Sequence, residues 1–336
     1  MGVTPYEIEV GDSALTDRLR GILAEIRVTL TTDRQSDSVA IKLTDPVRRL
    51  AEPKRGRQIT VKLGRADGTG VRELGKFVHY ATRIDLAPRL IVVEGGAVGL
   101  TAASSLKAPA DRVWRETTIG DIVAAIAGRH GVDHAVAPSL ASQAIDHIDQ
   151  TSESDVHFLR RLARQYDATA KLVSGRILFM EAGANLSAVA REQLKELVIR
   201  PPVEGERKLL VGSVRRSDRS RYGSVRAKYY DPDVDGTYAY VTAGSGEPVY
   251  NLRNPLPDRA QAQAAVDGRL AKLTRSTAGI DVTIPGDPSI VAGGPLKTER
   301  WGGGEDGEWT IVRVAHTFTP SAGYRTAITA EAYQGD

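Results

Sequence analysis

The sequence predicts a mainly β chain in which a small helical α/β unit sits between two strand-rich thirds. Three observations predict it. Apolar and polar residues alternate in short runs through the first and last thirds, the period of half-buried strands. The middle third switches to apolar residues three and four apart, with capping residues ahead of them. Turn-forming residues punctuate both β thirds, which suits antiparallel strands in a small barrel or sandwich.

In chain order, Ile26-Val28-Leu30, Val39-Ile41-Leu43 and Ile59-Val61-Leu63 read as strands. Polar or Gly/Pro-bearing breaks at Asp33 to Ser38, Glu52 to Arg57 and Gly64 to Gly70 set them apart, and Phe77 to Leu86 and Leu90 to Glu94 add two more around Pro88. Thr118 and Asp121 then form a capping box for a helix that buries Ile119, Ile122, Val123 and Ile126 and stops at Gly131. A second helix is predicted to begin at Ser152 with Asp155 as its capping partner. It buries Val156, Leu159, Leu162 and Tyr166 and turns Arg160, Arg161 and Arg164 outward. Ala170 to Val173 and Arg176 to Met180 flank Ser174-Gly175 as a tight hairpin.

The last third returns to strands at Val225-Ala227-Tyr229, Ile280-Val282-Ile284, Trp309 to Val314 and Tyr324 to Ala332, interrupted by a helix that Asp258 caps and that carries Ala262, Val266, Leu270 and Leu273. The β thirds echo each other: Gly75-Lys76-Phe77 leads to Leu86-Ala87-Pro88, as Gly307-Glu308-Trp309 leads to Phe318-Thr319-Pro320. Identity is slight, so duplication and chance both account for the echo at this level.

Composition bounds the function classes. A chain of 336 residues fits two or three domains, and 41% hydrophobic with 26% charged residues is an ordinary globular balance. Lys and Arg number 45 against 42 Asp and Glu, so a formal charge of +3 makes no electrostatic case for nucleic acid. Cysteine is absent, which excludes disulfides, thiolate metal sites and thiol nucleophiles. No window approaches the run of about 18 apolar residues that spans a bilayer, and the first ten residues lack a signal-peptide pattern, so neither secretion by that route nor membrane insertion is expected.

The chemical constellations are weak. Asp231 to Gly236 opens like a calcium loop, but Thr242 stands where the bidentate Glu belongs, so an acidic β-turn is expected. His130 and His134 are four apart, yet Gly131 breaks the helix between them and they read as loop histidines. Gly95 to Gly99 and Gly302 to Gly304 lack the spacing of nucleotide-binding loops, and no Gly-x-Ser-x-Gly elbow occurs. Arg215 to Tyr222 is the densest basic run, interrupted by Asp218, and reads as a solvated loop or a protein interface. No residue set supports catalysis, metal binding or a cofactor.

Leu106-Lys107-Ala108, Trp114 to Val123, Ala127 to Gly131 and above all Asp149 to Ala163, continuing to Ser174 to Phe179, resemble the late control gene D protein family of contractile-tail phages. The similarity extends over Val225 to Tyr230, the Ala-rich helix and Trp309 to His316. The resemblance implies two similar antiparallel β-barrel tube domains, at 1–103 and 199–336, joined by a helical α/β domain at 104–198, with a helix inserted near 257–275. It further implies a homotrimer whose six barrels form a ring in the baseplate of a phage or tailocin particle. A central spike protein docks below, tail tube protein stacks above, baseplate wedge proteins surround it, and tape-measure protein and DNA occupy the lumen. Sequence-specific nucleic acid contact is not implied. The related type VI secretion spike fuses its hub to a repeat-rich needle; no such needle precedes Asp336 here, so a separate spike is expected. The family brings no catalytic residues; read chemically, Arg160, Arg161 and Arg164 are exposed, either as contacts to a neighbouring chain or as a solvated helix face. Two other readings, a tail-tip cell-wall hydrolase and a non-specific DNA-contacting lumen protein, compete with the structural hub.

Overall fold

The computed structural model describes all residues except 1–3, 12, 33–36, 46–49, 51, 66, 98–104, 174, 175, 183–195, 202–210, 218–220, 232–236 and 334–336. The first β unit contains β1 (Tyr6–Val10), β2 (Ser13–Ala14), the short helix α1 (Thr16–Leu19), β3 (Leu23–Thr31), β4 (Ser38–Thr44), β5 (Gln58–Leu63), β6 (Arg72–Leu86) and β7 (Arg89–Ala97). Its strands run antiparallel in the order β2-β1-β5-β6-β7-β4-β3. Alternate residues point to one face, so Ile26 and Val28 of β3, Val39 and Ile41 of β4 and Ile59 and Val61 of β5 meet Phe77 in one core. Burying each such side chain contributes about 1.5–3 kcal/mol.

The middle unit holds β8 (Pro109–Thr118), α2 (Ile119–His130), β9 (Asp133–Val136), α3 (Pro138–Ala141), β10 (Ala144–Ser154), α4 (Asp155–Gln165), β11 (Ala168–Val173) and β12 (Arg176–Glu181). The capping box forms as expected: the Asp121 N–H donates to Thr118 Oγ1 and the Thr118 N–H to the Asp121 carboxylate, while Gly131 closes α2 in the left-handed conformation. Val173 pairs with Arg176, so β11 and β12 form the predicted hairpin, with residues 174 and 175 outside the described set.

The start of the second helix differs from expectation. Ser154, not Ser152, is the N-cap, and its Oγ accepts the His157 N–H. Antiparallel pairing with β8 carries β10 as far as Ser154, with a bulge between Gln150 and Glu153. Ser152 sits in that bulge at φ 46°, and its N–H donates to Asp111 Oδ1 at 2.6 Å. Val156 is only half-buried, and Phe158 takes the central place, fully buried and stacked on Trp114 at 5.9 Å.

The last part contains β13 (Leu197–Ile199), β14 (Val211–Arg216), β15 (Ser224–Tyr230), β16 (Tyr238–Gly244), β17 (Val249–Asn251), α5 (Arg259–Arg275), β18 (Ala278–Pro285), β19 (Pro295–Thr298), β20 (Gly307–Thr319) and β21 (Gly323–Ala332). Asp258 caps α5 by accepting the Gln261 N–H at 2.8 Å. The strand through Val225 does not open the last β unit. β15, β16 and β17 form a separate sheet under α5, with a core of Val225, Ala227, Tyr229, Val241, Ala262, Val266 and Leu273. The opening strand is β14, and the insert between it and β18 comprises that whole sheet together with the helix.

With β14 as the first strand, the two β units have corresponding strand orders: β5-β6-β7-β4-β3 in one and β19-β20-β21-β18-β14 in the other, all antiparallel. A row across the first sheet, Val28–Val39–Gly95–His79, matches Val214–Ile280–Ala330–Ile311 across the second. The register shifts between His79 and Ala81 in one and between Ile311 and Arg313 in the other, two residues beyond the buried rings of Phe77 and Trp309 in each case. Bulges re-aim a strand, and one falling at corresponding positions marks one architecture used twice. The outermost strands differ in direction, since β1 joins β5 antiparallel and β13 joins β19 parallel.

Candidate assembly interfaces

Four places decide how this chain holds itself and presents itself to others. The first is the joint between the β units. The outer edge of β20 is divided: Gly307 to Thr310 pair with β19, and Arg313 to Phe318 pair with Thr31 to Ile26 of β3. The two units thereby share one 13-stranded sheet, and Phe318 and Tyr324 enter the core of the first unit. His316 lies fully buried at this joint opposite Val28. Its Nε2–H donates to the Ile290 carbonyl at 3.0 Å and its Nδ1 accepts the Tyr324 hydroxyl at 2.7 Å. Burial drives its pKa down to about 4, against smaller opposing effects of the Ile290 carbonyl and the Asp287 charge, so the neutral ring is the native form.

The second place is the network around Asp155. Its carboxylate accepts from Arg112 at 2.5 Å, Gln150 at 2.7 Å and His130 Nε2 at 2.7 Å, and His130 Nδ1 meets Ser105 Oγ at 2.7 Å. Burial works against the charge, but the hydrogen bonds from His130 and Gln150 and the Arg112 guanidinium hold the carboxyl below the usual carboxylate range. Neither histidine of the pair noted in the sequence is a loop residue: His130 ends α2 and His134 lies in β9. The chain Ser105–His130–Asp155 superficially matches a hydrolytic triad, yet its ring nitrogens are reversed, since that template places Ser on Nε2 and Asp on Nδ1. The network ties β8, β10, α2 and α4 together. The sequence signal for it was the Asp in the first turn of α4, which was read only as a capping partner.

The arginines of α4 are the third. They do not share one open face. Arg160 is half-buried beside Leu106, Leu172 and Ile177, and burial draws its pKa down. Arg161 is half-exposed and folds back on its own unit: its guanidinium meets Glu153 at 2.9 Å, donates to the Asp149 carbonyl at 2.5 Å and lies 5.2 Å from the Phe158 ring. Arg164 is exposed, with its Nε donating to the Arg160 carbonyl.

The fourth is the docking of the α5 unit on the middle unit. Arg275 binds Asp167 at 2.5 and 2.6 Å, Gln165 donates to Gln261 at 2.8 Å, and a Cβ on Gly268 would sit 2.7 Å from that of Asp167, so only glycine admits the approach. On the first β unit, Asp37 accepts from Lys171 of the middle unit at 2.9 Å with both side chains largely buried. The outer face of the β15–β16 pair carries Tyr230, Tyr238 and Tyr240, each about half exposed. The calcium-like stretch is described only at Asp231, since residues 232–236 lie outside the described set, as do residues 218–220 of the basic run and 98–99 of the first glycine stretch.

The sequence matches the phage tail baseplate hub (GPD) family over residues 25–322. A relative from Escherichia phage P2, described as a probable baseplate hub protein, is 27% identical, with 96% of this chain and 90% of the relative aligned. Among solved structures, a 43 kDa tail protein of prophage MuSo2 from Shewanella oneidensis shares the fold at TM-score 0.69 and 15% identity, covering 97% of this chain and 98% of its own. A tail protein from Neisseria meningitidis does so at TM-score 0.71 and 12% identity, covering 98% and 96%. The chain belongs to the phage tail baseplate hub family.

Proposed function

We propose that this chain is the structural hub of a contractile tail baseplate, three copies closing into a ring of six similar β units that joins a central spike to a hexameric tail tube. One observation carries the reading: two β units of corresponding strand order, side by side in a single sheet, supply within one chain the repeat that turns a three-fold ring into a pseudo-six-fold one. The tail tube protein takes the pseudo-six-fold face and the spike the three-fold face. Wedge proteins lie outside, and the tape-measure protein and DNA pass through the lumen. The exposed Arg164 marks the side of the middle unit that faces an adjoining subunit, with the half-buried Arg160 and the Glu153-bound Arg161 beside it. The particle, phage or tailocin, is where the protein resides.

The role is one of shape and not of turnover. The reversed ring of His130 supports this, because the Ser105 hydroxyl faces Nδ1 while Asp155 holds Nε2. Mass measurement of the hub released from assembled tails tests the reading. Three times the 36.2 kDa chain is expected, and a monomer or dimer overturns it. The same preparation should leave no clearing on a cell-wall zymogram.

A further inference from the structure

We propose that β14 of one chain pairs antiparallel with the C-terminal half of β6 in a second copy, repeating between chains the joint that β3 and β20 make within one. The proposal rests on the hub reading and adds the seam that closes the ring.

The argument is one of equivalent edges. In β20 the outer edge is used along its whole length, first by β19 and then by β3. The corresponding edge of β6 is used only in its first half. β5 pairs as far as Val78, the Gly56 to Arg57 turn bonds His79, and from Tyr80 to Leu86 that edge has no strand partner among the described residues. In the other unit, β14 corresponds to β3 and stands at the end of the sheet, paired only with β18 among the described residues. Each chain thus carries one socket and one plug of the kind already joined inside it. Unpaired strand edges are templates for strand addition.

The internal joint also fixes the register. His316 faces Val28 and Phe318 faces Ile26. The matched rows place Val214 where Val28 lies and Gly212 where Ile26 lies. The matched bulges place Ile84 at the His316 position and Leu86 at the Phe318 position. The seam therefore sets Val214 opposite Ile84 and Gly212 opposite Leu86.

Burial agrees with this pairing. Phe318 is 5% exposed in the internal joint, whereas Leu86 is 81% exposed on the open edge. Ile84 and Val214 are half-buried at the margins of the two main β cores, so the seam continues those cores across the chain boundary. On the other face Arg215 falls opposite Arg83, which holds Asp85 at 3.1 Å, and Asp85 lies diagonal to Arg215. A head-to-tail contact of this kind closes into a ring when its rotation permits.

The natural chain has no cysteine, so introduced pairs report without background. The full chain carrying Ile84→Cys and Val214→Cys is incorporated into tails, mildly oxidised and run without reductant. The in-register pair should give at least ~tenfold more chain-to-chain product than the out-of-register pair Thr82→Cys with Gly212→Cys, because disulfides form only within about 7 Å between Cα atoms. Mixing the two single variants should give links only between unlike chains, which excludes closure within one chain. Should the double variant fail to enter tails, the same mixture of single variants provides the reading. Assembled three-fold hubs with no excess of in-register product overturn the seam and leave the hub reading intact. Hubs that are not three-fold overturn the hub reading itself.

Discussion

Lowering the pH from 7.5 to 5 should weaken the joint between the β units through His316. The imidazole is neutral in the native state, with its pKa moved from 6.5 to about 4 by burial, and it titrates normally once the joint opens. Between those values the unfolded chain binds a proton that the folded chain does not, so stability falls as pH falls through this window and is insensitive to this residue above it. At pH 5 the unfolded imidazole lies about 1.5 pH units below its own pKa, which at 1.36 kcal/mol per unit is a loss of about 2 kcal/mol. The charge acting on the ring is Asp287, which itself pairs with Arg65 at 3.5 Å. His316→Gln retains a donor toward Ile290 and an acceptor toward Tyr324 but cannot titrate. Urea unfolding followed by tryptophan fluorescence, with Trp309 buried in the second β core, reads both proteins at both pH values. The wild type should lose about 2 kcal/mol more than the variant on acidification. Equal losses would refute the assignment of a neutral, structurally bound ring.

Replacing Arg160, Arg161 and Arg164 together by glutamate should depress tail assembly in a complementation test, but it also breaks the Arg161–Glu153 pair and sets a carboxylate beside Leu106 and Leu172. Because Arg161 is tied to Glu153, Arg164→Glu alone is the cleaner variant, and unaltered assembly with it means that the face is merely solvated. Asp155→Asn leaves the half-exposed Arg112 without its carboxylate and should cost about 1–3 kcal/mol in urea unfolding. Since the Asp155 carboxyl is held below the ordinary range, its contribution is present above pH ~4 and fades on stronger acidification. A variant with wild-type stability at pH 7 removes the network from the account of what holds the middle unit.

Much of the fold was legible because its signals are local. Val39-Ile41-Leu43 and Ile280-Val282-Ile284, read separately as strands, occupy matched positions in β4 and β18. Thr118 with Asp121 forms the predicted capping box, and Asp258 caps its helix as predicted. What was not legible is partnership. Alternation marks Val225-Ala227-Tyr229 as a strand but is the same whichever sheet a strand joins, and here the neighbouring helix α5 claims it. Ser152 and Ser154 both suit a cap, and only the length of the β8–β10 pairing decides between them. Arg161 is half-exposed, but its partner was not legible because helical periodicity does not see Glu153, which arrives from the preceding strand. The Asp155 network was hidden for a similar reason, since Arg112, His130 and Gln150 converge from three different elements.

The joint between β3 and β20 also constrains the order of events during synthesis. Thr31 and Val312 touch across 281 positions of sequence, so at about 5–20 residues per second the ribosome needs roughly 15–60 s to make the partner that β3 awaits. Throughout that interval the first β unit can complete its own antiparallel ladders, all of which lie within its own stretch of chain, while one long edge stays uncovered. When β20 emerges, the tether to its own β3 competes with the β3 edges of other nascent chains, and closing so long a loop carries only a slowly growing entropic cost. Polysomes crowded with half-made hubs are therefore the setting in which strand exchange between chains is most favoured, and sparsely loaded messages are the condition that favours correct closure.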